Sequence, residues 1–254
     1  GVPIVSHSHL LLASQREEAI EDPSRFVAVH FSMPIDMTSL VEVIPGDHTS
    51  MEVLRDTLML LRHVGKTPLV VKDTPGFLLH RLLIPFLCEA MMLLEEGIEI
   101  QRIDNNFKKF GMKCGPFALI DDIGLDIIYK TMLLLNETIG GRIKIPYAAK
   151  VLYEKGFLGK KVQKGFYRYD SEEPKENKEI YSTLSLLRRQ NSLIGDTSMV
   201  RRVLHLLINE ASWCLEEKLV TDPAVIDLAL IKGMGFPAAK GGLLRYADSL
   251  GTVH

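Results

Sequence analysis

The chain has 254 residues, of which 46% are hydrophobic and 24% charged, with a formal net charge of −2. That length supports one to three domains with a sizeable core, and the near-neutral charge gives no basic field to hold nucleic acid. No apolar run reaches the roughly 18 uncharged residues of a membrane span, so a soluble protein is expected.

Gly1-Val2-Pro3 has no Met, charged n-region or cleavage site, and is read as an entry into the middle of a longer sequence rather than a signal peptide. Four short β-rich runs follow at Val2–Val5, Phe26–Phe31, Leu40–Ile44 and Pro68–Val71. Between the last two, Thr49-x-x-Glu52 forms a capping box for a helix running to about His63. A helix between buried strands predicts the end of an open α/β sheet over residues 1–73. After Asp73-Thr74-Pro75-Gly76 the texture becomes helical. The first helix spans Phe77–Glu96 with Pro85 inside it and Gly97 as its cap, and others are expected near 101–110, 116–138, 145–156, 198–218 and 222–232. The charged stretch Glu172–Glu179 reads as a solvated linker. Cys88, Cys114 and Cys214 are too sparse for a disulfide frame. His7 and His9 share a strand face, but no third metal ligand is near them in sequence.

The helical part carries an internal repeat. Arg81, Glu89-Ala90 and Glu95-Glu96 recur as Arg202, Glu210-Ala211 and Glu216-Glu217, a constant shift from Arg81 to Arg202. Ile103-Asp104 then answers Ile226-Asp227, Gly115-Pro116 answers Phe236-Pro237, and Asp121-x-x-Gly124 answers Asp248-x-x-Gly251. The expected organisation is therefore an α/β remnant at 1–73, a first helical domain at 74–170, a linker at 171–195, and a second helical repeat at 196–254.

Two segments carry candidate chemistry. His30 ends one apolar strand and Glu42 lies in the middle of the next, and an ionisable pair on buried strands is costly unless the groups meet. If they meet, the carboxylate holds one ring nitrogen and leaves the other as a general base. From spacing alone, a structural His with a Glu at a strand edge is the plainer reading. Lys72-Asp-Thr-Pro-Gly76 joins a strand to a helix, at the end of the sheet where open α/β folds bind ligands, though an ordinary hinge has the same pattern. Gly233-Met-Gly-Phe-Pro-Ala238 mimics a dinucleotide turn but follows a helix and contains Pro237, so it reads as a structural loop.

His-Phe-x-x-Pro (30–34), Leu-Val-Glu-Val-Ile (40–44), Lys-Asp-Thr-Pro-Gly-Phe (72–77), Gly-Pro-Phe (115–117), Asp-x-x-Gly-Leu-Asp (121–126) and Gly-Lys-Lys-x-x-Lys-Gly-Phe-Tyr (159–167) together resemble the L-3-hydroxyacyl-CoA dehydrogenase family. The second repeat makes the chain similar to the C-terminal part of multifunctional β-oxidation enzymes. The resemblance implies a Rossmann-type NAD domain seen from its end, followed by two helical domains. It implies NAD-dependent oxidation of (S)-3-hydroxyacyl-CoA to the 3-ketoacyl-CoA, with His30 as base and Glu42 as its partner. His9 and His80 then fall at substrate-binding positions, and His7 and Lys161 on the cofactor side. An upstream hydratase module, a thiolase subunit, and a cytoplasmic, peroxisomal or mitochondrial-matrix setting come with the family.

The resemblance also shows departures. Where the family has Ser, Asn and Asn, this chain has His9, Met33 and His80, and His7 replaces a further Asn. The glycine-rich phosphate turn belongs upstream of Gly1, so residues 1–254 alone are expected to be inactive. Three readings stay open: an active dehydrogenase, a relative with altered acyl specificity, and a silent module kept for assembly.

Overall fold

The computed structural model describes residues 2–8, 11–35, 38–185 and 194–251. In chain order the elements are β1 (Ile4–His7), α1 (Ala13–Glu17), β2 (Phe26–Phe31), β3 (Leu40–Pro45), α2 (Met51–His63), β4 (Thr67–Val70), α3 (Leu79–Glu95), α4 (Ile100–Phe110), α5 (Pro116–Ile123) and α6 (Leu125–Thr138). They continue with α7 (Tyr147–Glu154), β5 (Tyr167–Arg168), β6 (Lys175–Glu176), α8 (Glu179–Thr183), α9 (Asp196–Glu216), α10 (Pro223–Gly233) and α11 (Leu243–Ser249). Two compact units form: one from residues 1–82, 210–234 and 238–254, the other from 83–209 and 235–237. The divisions between these units fall inside α3 and α9.

The first unit contains a sheet of order β1-β2-β3-β4, with β1 parallel to β2, β2 antiparallel to β3, and β3 parallel to β4. Side chains alternate across a strand. Val27, Val29, Val41 and Val43 therefore share one face and pack with Val53 and Leu61 of α2. Ala28, His30, Glu42 and Ile44 take the other face, and all are buried. Burial on both faces is why these strands read as continuous apolar runs. On the second face, Gly233 of α10 lies against Leu40 and Leu79, where a Cβ would fall 2.7 Å from Leu40 Cδ2.

Several local expectations change. The N-cap of α2 is Ser50, which accepts from the Val53 N–H. Thr49 instead donates its hydroxyl to the Phe26 carbonyl and accepts from the Gly46 N–H, tying the loop to β2. Helix α1, not anticipated, is held by Asp73, whose two carboxylate oxygens accept from Ala13 and Ser14 N–H at 2.8 Å each. That bond explains the Asp of Lys-Asp-Thr-Pro-Gly as a cap for a distant helix.

In the second unit, the single helix expected over 116–138 is two, α5 and α6, divided at Gly124 with φ 105. The stretch read as a solvated linker holds β6 and α8, with Asn177 and Ile180 buried. Asn177 donates to the Gly165 carbonyl, so a polar-looking segment is pinned by its one buried amide. Asp104 caps α5 through the Phe117 and Ala118 N–H groups and accepts from the Tyr167 hydroxyl. Asp121 accepts from Phe166 N–H, Tyr167 N–H and the Tyr169 hydroxyl.

The first unit reproduces the Asp104 arrangement at its own C-terminal end. Asp227 on α10 caps α11 through the Leu244 and Arg245 N–H groups. Gly242 lies against Asp227 as Gly115 lies against Asp104, each leaving no room for a Cβ. The partner of Gly115 is therefore Gly242, not the Phe236-Pro237 pair. Pro237 instead lies against Gly111. Along α9, Val203, Leu204, Leu207, Ile208, Ala211 and Cys214 are buried, while Trp213 is 39% exposed.

Candidate active site

The antiparallel register of β2 and β3 places His30 directly opposite Glu42. Cross-strand neighbours on one face are close enough for their side chains to meet. Here His30 Nδ1 lies 2.6 Å from Glu42 Oε2, with the residues 1% and 0% exposed. The other carboxylate oxygen, Oε1, accepts from the N–H groups of Leu78 at 2.8 Å and Leu79 at 2.9 Å. These are unpaired donors at the start of α3, so the helix N-terminus holds the carboxylate from behind. The turn that aims them uses two left-handed residues, Gly76 at φ 76 and Phe77 at φ 49.

Rings enclose the imidazole. His80, on the first turn of α3, lies 4.6 Å from His30 between ring centroids, Phe77 lies at 5.7 Å, and His7 stacks at 6.0 Å with an interplanar angle of 6°. His7, at the end of β1, donates from Nδ1 to the Val29 carbonyl at 3.2 Å. Burial lowers the His7 value, with the nearby Arg16 acting in the same direction. Burial also disfavours both charges of the central pair. It pulls His30 down to about 3, with His7 adding to the effect, and pushes Glu42 up to about 7 against the pull of the two helix N–H groups. When Glu42 is ionised, it takes the Nδ1 proton as a hydrogen bond and fixes the tautomer whose Nε2 carries the lone pair. Such an imidazole can accept a proton from an alcohol.

Among the other expected site residues, His9 lies outside the described residues. Lys161, in the second unit, is half-exposed and pairs with Asp126. Among the described residues, no group of three or more His, Cys, Asp or Glu side chains is arranged to hold a metal, and no helix is long and apolar enough to cross a membrane. Sequence reading missed the Leu78 and Leu79 amides, which have no side-chain signature.

The chain matches the 3-hydroxyacyl-CoA dehydrogenase NAD binding domain over residues 4–74 and the 3-hydroxyacyl-CoA dehydrogenase C-terminal domain over residues 76–169. It belongs to the 3-hydroxyacyl-CoA dehydrogenase family. One relative, the fatty acid oxidation complex subunit alpha of Acinetobacter baylyi, is 35% identical over 98% of this chain and 36% of its own length. The chain thus spans about a third of the curated relatives it matches. In fold it is similar to 3-hydroxybutyryl-CoA dehydrogenase from Escherichia coli K12, with a TM-score of 0.79 and 20% identity over 98% of this chain and 68% of that one. It is also similar to the dehydrogenase part of multifunctional enzyme 1 from C. elegans, with a TM-score of 0.67 and 27% identity over 94% of this chain and 55% of that one. The fold is a Rossmann-type α/β sheet domain with a helical C-terminal part.

The family's cofactor is NAD, and a dinucleotide pyrophosphate is ordinarily seated on a helix N-terminus after a strand. The β3–α2 turn does not provide that seat. Glu17, 5% exposed, occupies the loop ahead of α2 by accepting from the Asp47 and His48 N–H groups, its carboxylate leaves no room for a Cβ on Gly46, and Ser50 caps the helix N-terminus itself. A carboxylate already at those amides repels phosphate, so this turn does not seat a pyrophosphate.

Proposed function

We propose that the protein oxidises (S)-3-hydroxyacyl-CoA to 3-ketoacyl-CoA in fatty-acid β-oxidation, with NAD as the hydride acceptor. The observation that carries this reading is the buried His30–Glu42 pair held by the first turn of α3. His30 Nε2 takes the proton of the 3-hydroxyl as the C3–H bond breaks and the carbon–oxygen double bond forms. Glu42 positions the ring through Nδ1 and offsets the positive charge the ring gains. NAD supplies only the acceptor for the hydride leaving C3. His80, beside His30, is assigned to hold the substrate oxygen, and so is His9. His7 and Lys161 are assigned to the cofactor side, as in the family.

The departures from the family at His80 and Met33 also support a second reading, an acyl specificity differing from that of its relatives, because the ring of His80 fills more space than an amide and the thioether of Met33 gives up an amide's hydrogen bonds. The relatives named as alpha subunits of a fatty acid oxidation complex support a multi-part assembly, to which we assign an upstream hydratase module and a thiolase partner, and the bacterial sources of those relatives support a cytoplasmic setting. The experiment is NAD reduction by the full-length protein with (S)-3-hydroxyacyl-CoA of several chain lengths. NADH forming in step with 3-ketoacyl-CoA is expected; none at any chain length would favour the silent assembly module.

We assign the second repeat the place that a partner subunit takes in single-repeat members. Support comes from ion pairs that exchange across the repeat. In the first unit Arg81 binds Glu210 and Glu217; in the second, Arg202 binds the equivalent Glu89 and Glu96. Deleting residues 196–254 strips Arg81, 1% exposed, of both partners. Breaking a buried pair costs about 3–5 kcal/mol, beyond the exposed apolar face of α3. Dimers or aggregates are expected in sedimentation; a clean monomer would contradict the assignment.

A further inference from the structure

The site's geometry depends on a side chain that the reaction does not use. Arg81 follows His80 on α3, is 1% exposed, and is therefore a buried cation that needs partners. Its Nε donates to Glu210 Oε1 at 2.7 Å, and Nη1 donates to Glu217 Oε2 at 2.8 Å. Glu210 is itself 2% exposed, whereas Glu217 lies at the rim. Both carboxylates belong to α9 and its end, and the same segment continues as a backbone bond from the Lys72 N–H to the Leu219 carbonyl at 3.2 Å. One helix further on, Gly233 of α10 abuts Leu79, whose N–H holds Glu42. The first turn of α3 is thus gripped at Arg81 and Leu79 by the second repeat, and on its other side it presents two amides to Glu42 and a ring to His30.

Resting on the dehydrogenase reading above, we infer that Glu210, assisted by Glu217, is a positioning residue for the reaction. The second repeat sets the orientation of the base by holding Arg81 and hence the first turn of α3. Glu42 accepts from N–H groups whose directions are those of that turn. A turn displaced by a fraction of an ångström lengthens both bonds, and the carboxylate then no longer fixes the His30 ring. Displacements of about 1 Å at a reacting group cost up to about a hundredfold in rate. The rate of the chemical step therefore falls, while substrate affinity is largely kept.

The repeat supplies its own control. Arg202 with Glu89 and Glu96 is the same clasp in the second unit, attached further along α3 and away from the first turn. In the full-length protein, Glu210→Leu is expected to lower kcat by about tenfold or more with KM within about twofold. Glu210→Gln, which still accepts from Arg81, should recover most of that loss. Glu89→Leu should lower Tm but leave kcat unchanged per folded molecule. Should Glu210→Leu fail to fold, Glu217→Leu, at the rim, removes the other acceptor and gives the same reading with a fall of about threefold. Proton NMR of the His30 Nδ1–H, assigned by its loss in His30→Gln, reads the His30–Glu42 bond whether or not any substrate turns over. That signal is expected to shift or broaden in Glu210→Leu and to persist in Glu89→Leu. An unchanged signal and kcat in Glu210→Leu, or equal losses in both variants, would overturn the inference. A wild type that shows the signal but reduces no NAD would instead count against the dehydrogenase reading alone.

Discussion

Replacing His30 with Gln is expected to lower 3-hydroxyacyl-CoA oxidation by the full-length protein by about a hundredfold or more. The size follows from the surroundings of the ring. Nothing else among the described residues both lies on that sheet face and is backed by a carboxylate held on two helix amides. His80, its neighbour at 4.6 Å, comes from the helix rather than from a strand paired with Glu42, so it cannot inherit the proton-accepting geometry. A glutamine side chain is close to that of histidine in volume, so the fold should persist. Near-wild-type turnover in a folded His30→Gln protein would remove the assignment of His30 as base.

Glu42→Gln is expected to cost less, about tenfold to a hundredfold, and to change the pH profile in a way that His30→Gln does not. Burial raises the Glu42 carboxyl to about 7 and lowers His30 to about 3. As the pH drops through about 7, Glu42 takes up a proton and donates it to Nδ1. The ring then carries its hydrogen on Nε2 and loses the lone pair the substrate needs, although it stays neutral. The wild-type rate should therefore fall on the acid side of neutrality. In Glu42→Gln the amide group imposes the same wrong tautomer at every pH, giving a low and flat profile. Stability moves the opposite way. The folded value of Glu42 lies above its ordinary 4.5, so the fold favours the protonated form. That contribution is fully present below 4.5 and is lost as the pH rises through about 7. A neutral Gln escapes the loss, so Glu42→Gln should melt at or above the wild type on the alkaline side. A variant with the wild-type acid limb, or one that melts lower only at alkaline pH, would contradict the assignment.

Much of this was legible in the sequence, for specific reasons. The strands were visible because residues buried on both sheet faces read as unbroken apolar runs, and His30 and Glu42 stood out as costly exceptions within them. Their twelve-residue separation became a contact through the register of one antiparallel pair, which spacing alone leaves undetermined. The helix starts were less visible. Ser50 and Thr49 are both good caps, and which one serves α2 depends on whether a neighbouring strand recruits the other hydroxyl. Helix α1 is capped by Asp73, sixty residues away in sequence, and such a cap leaves no local pattern. The match of Gly115 with Gly242 was hidden because only the Asp beneath each glycine reveals the shared role. The letters that exposed the repeat, Arg with two Glu, were also the residues of the clasp. Charges conspicuous on an apolar helix face proved to be partners of one another across the repeat.

The most direct test of the account is isotopic. (S)-3-hydroxyacyl-CoA carrying deuterium at C3 should transfer that deuterium to NAD in the full-length protein, with a rate slower than for the protiated substrate. The His30→Gln protein should transfer little under the same conditions, although it remains folded. Deuterated NADH formed with 3-ketoacyl-CoA by the wild type, and its near-absence in the variant, is the predicted result. Wild-type protein that binds both molecules but moves no deuterium, or a His30→Gln variant that moves it at the wild-type rate, would contradict the claim that this His–Glu pair drives a hydride-transfer oxidation.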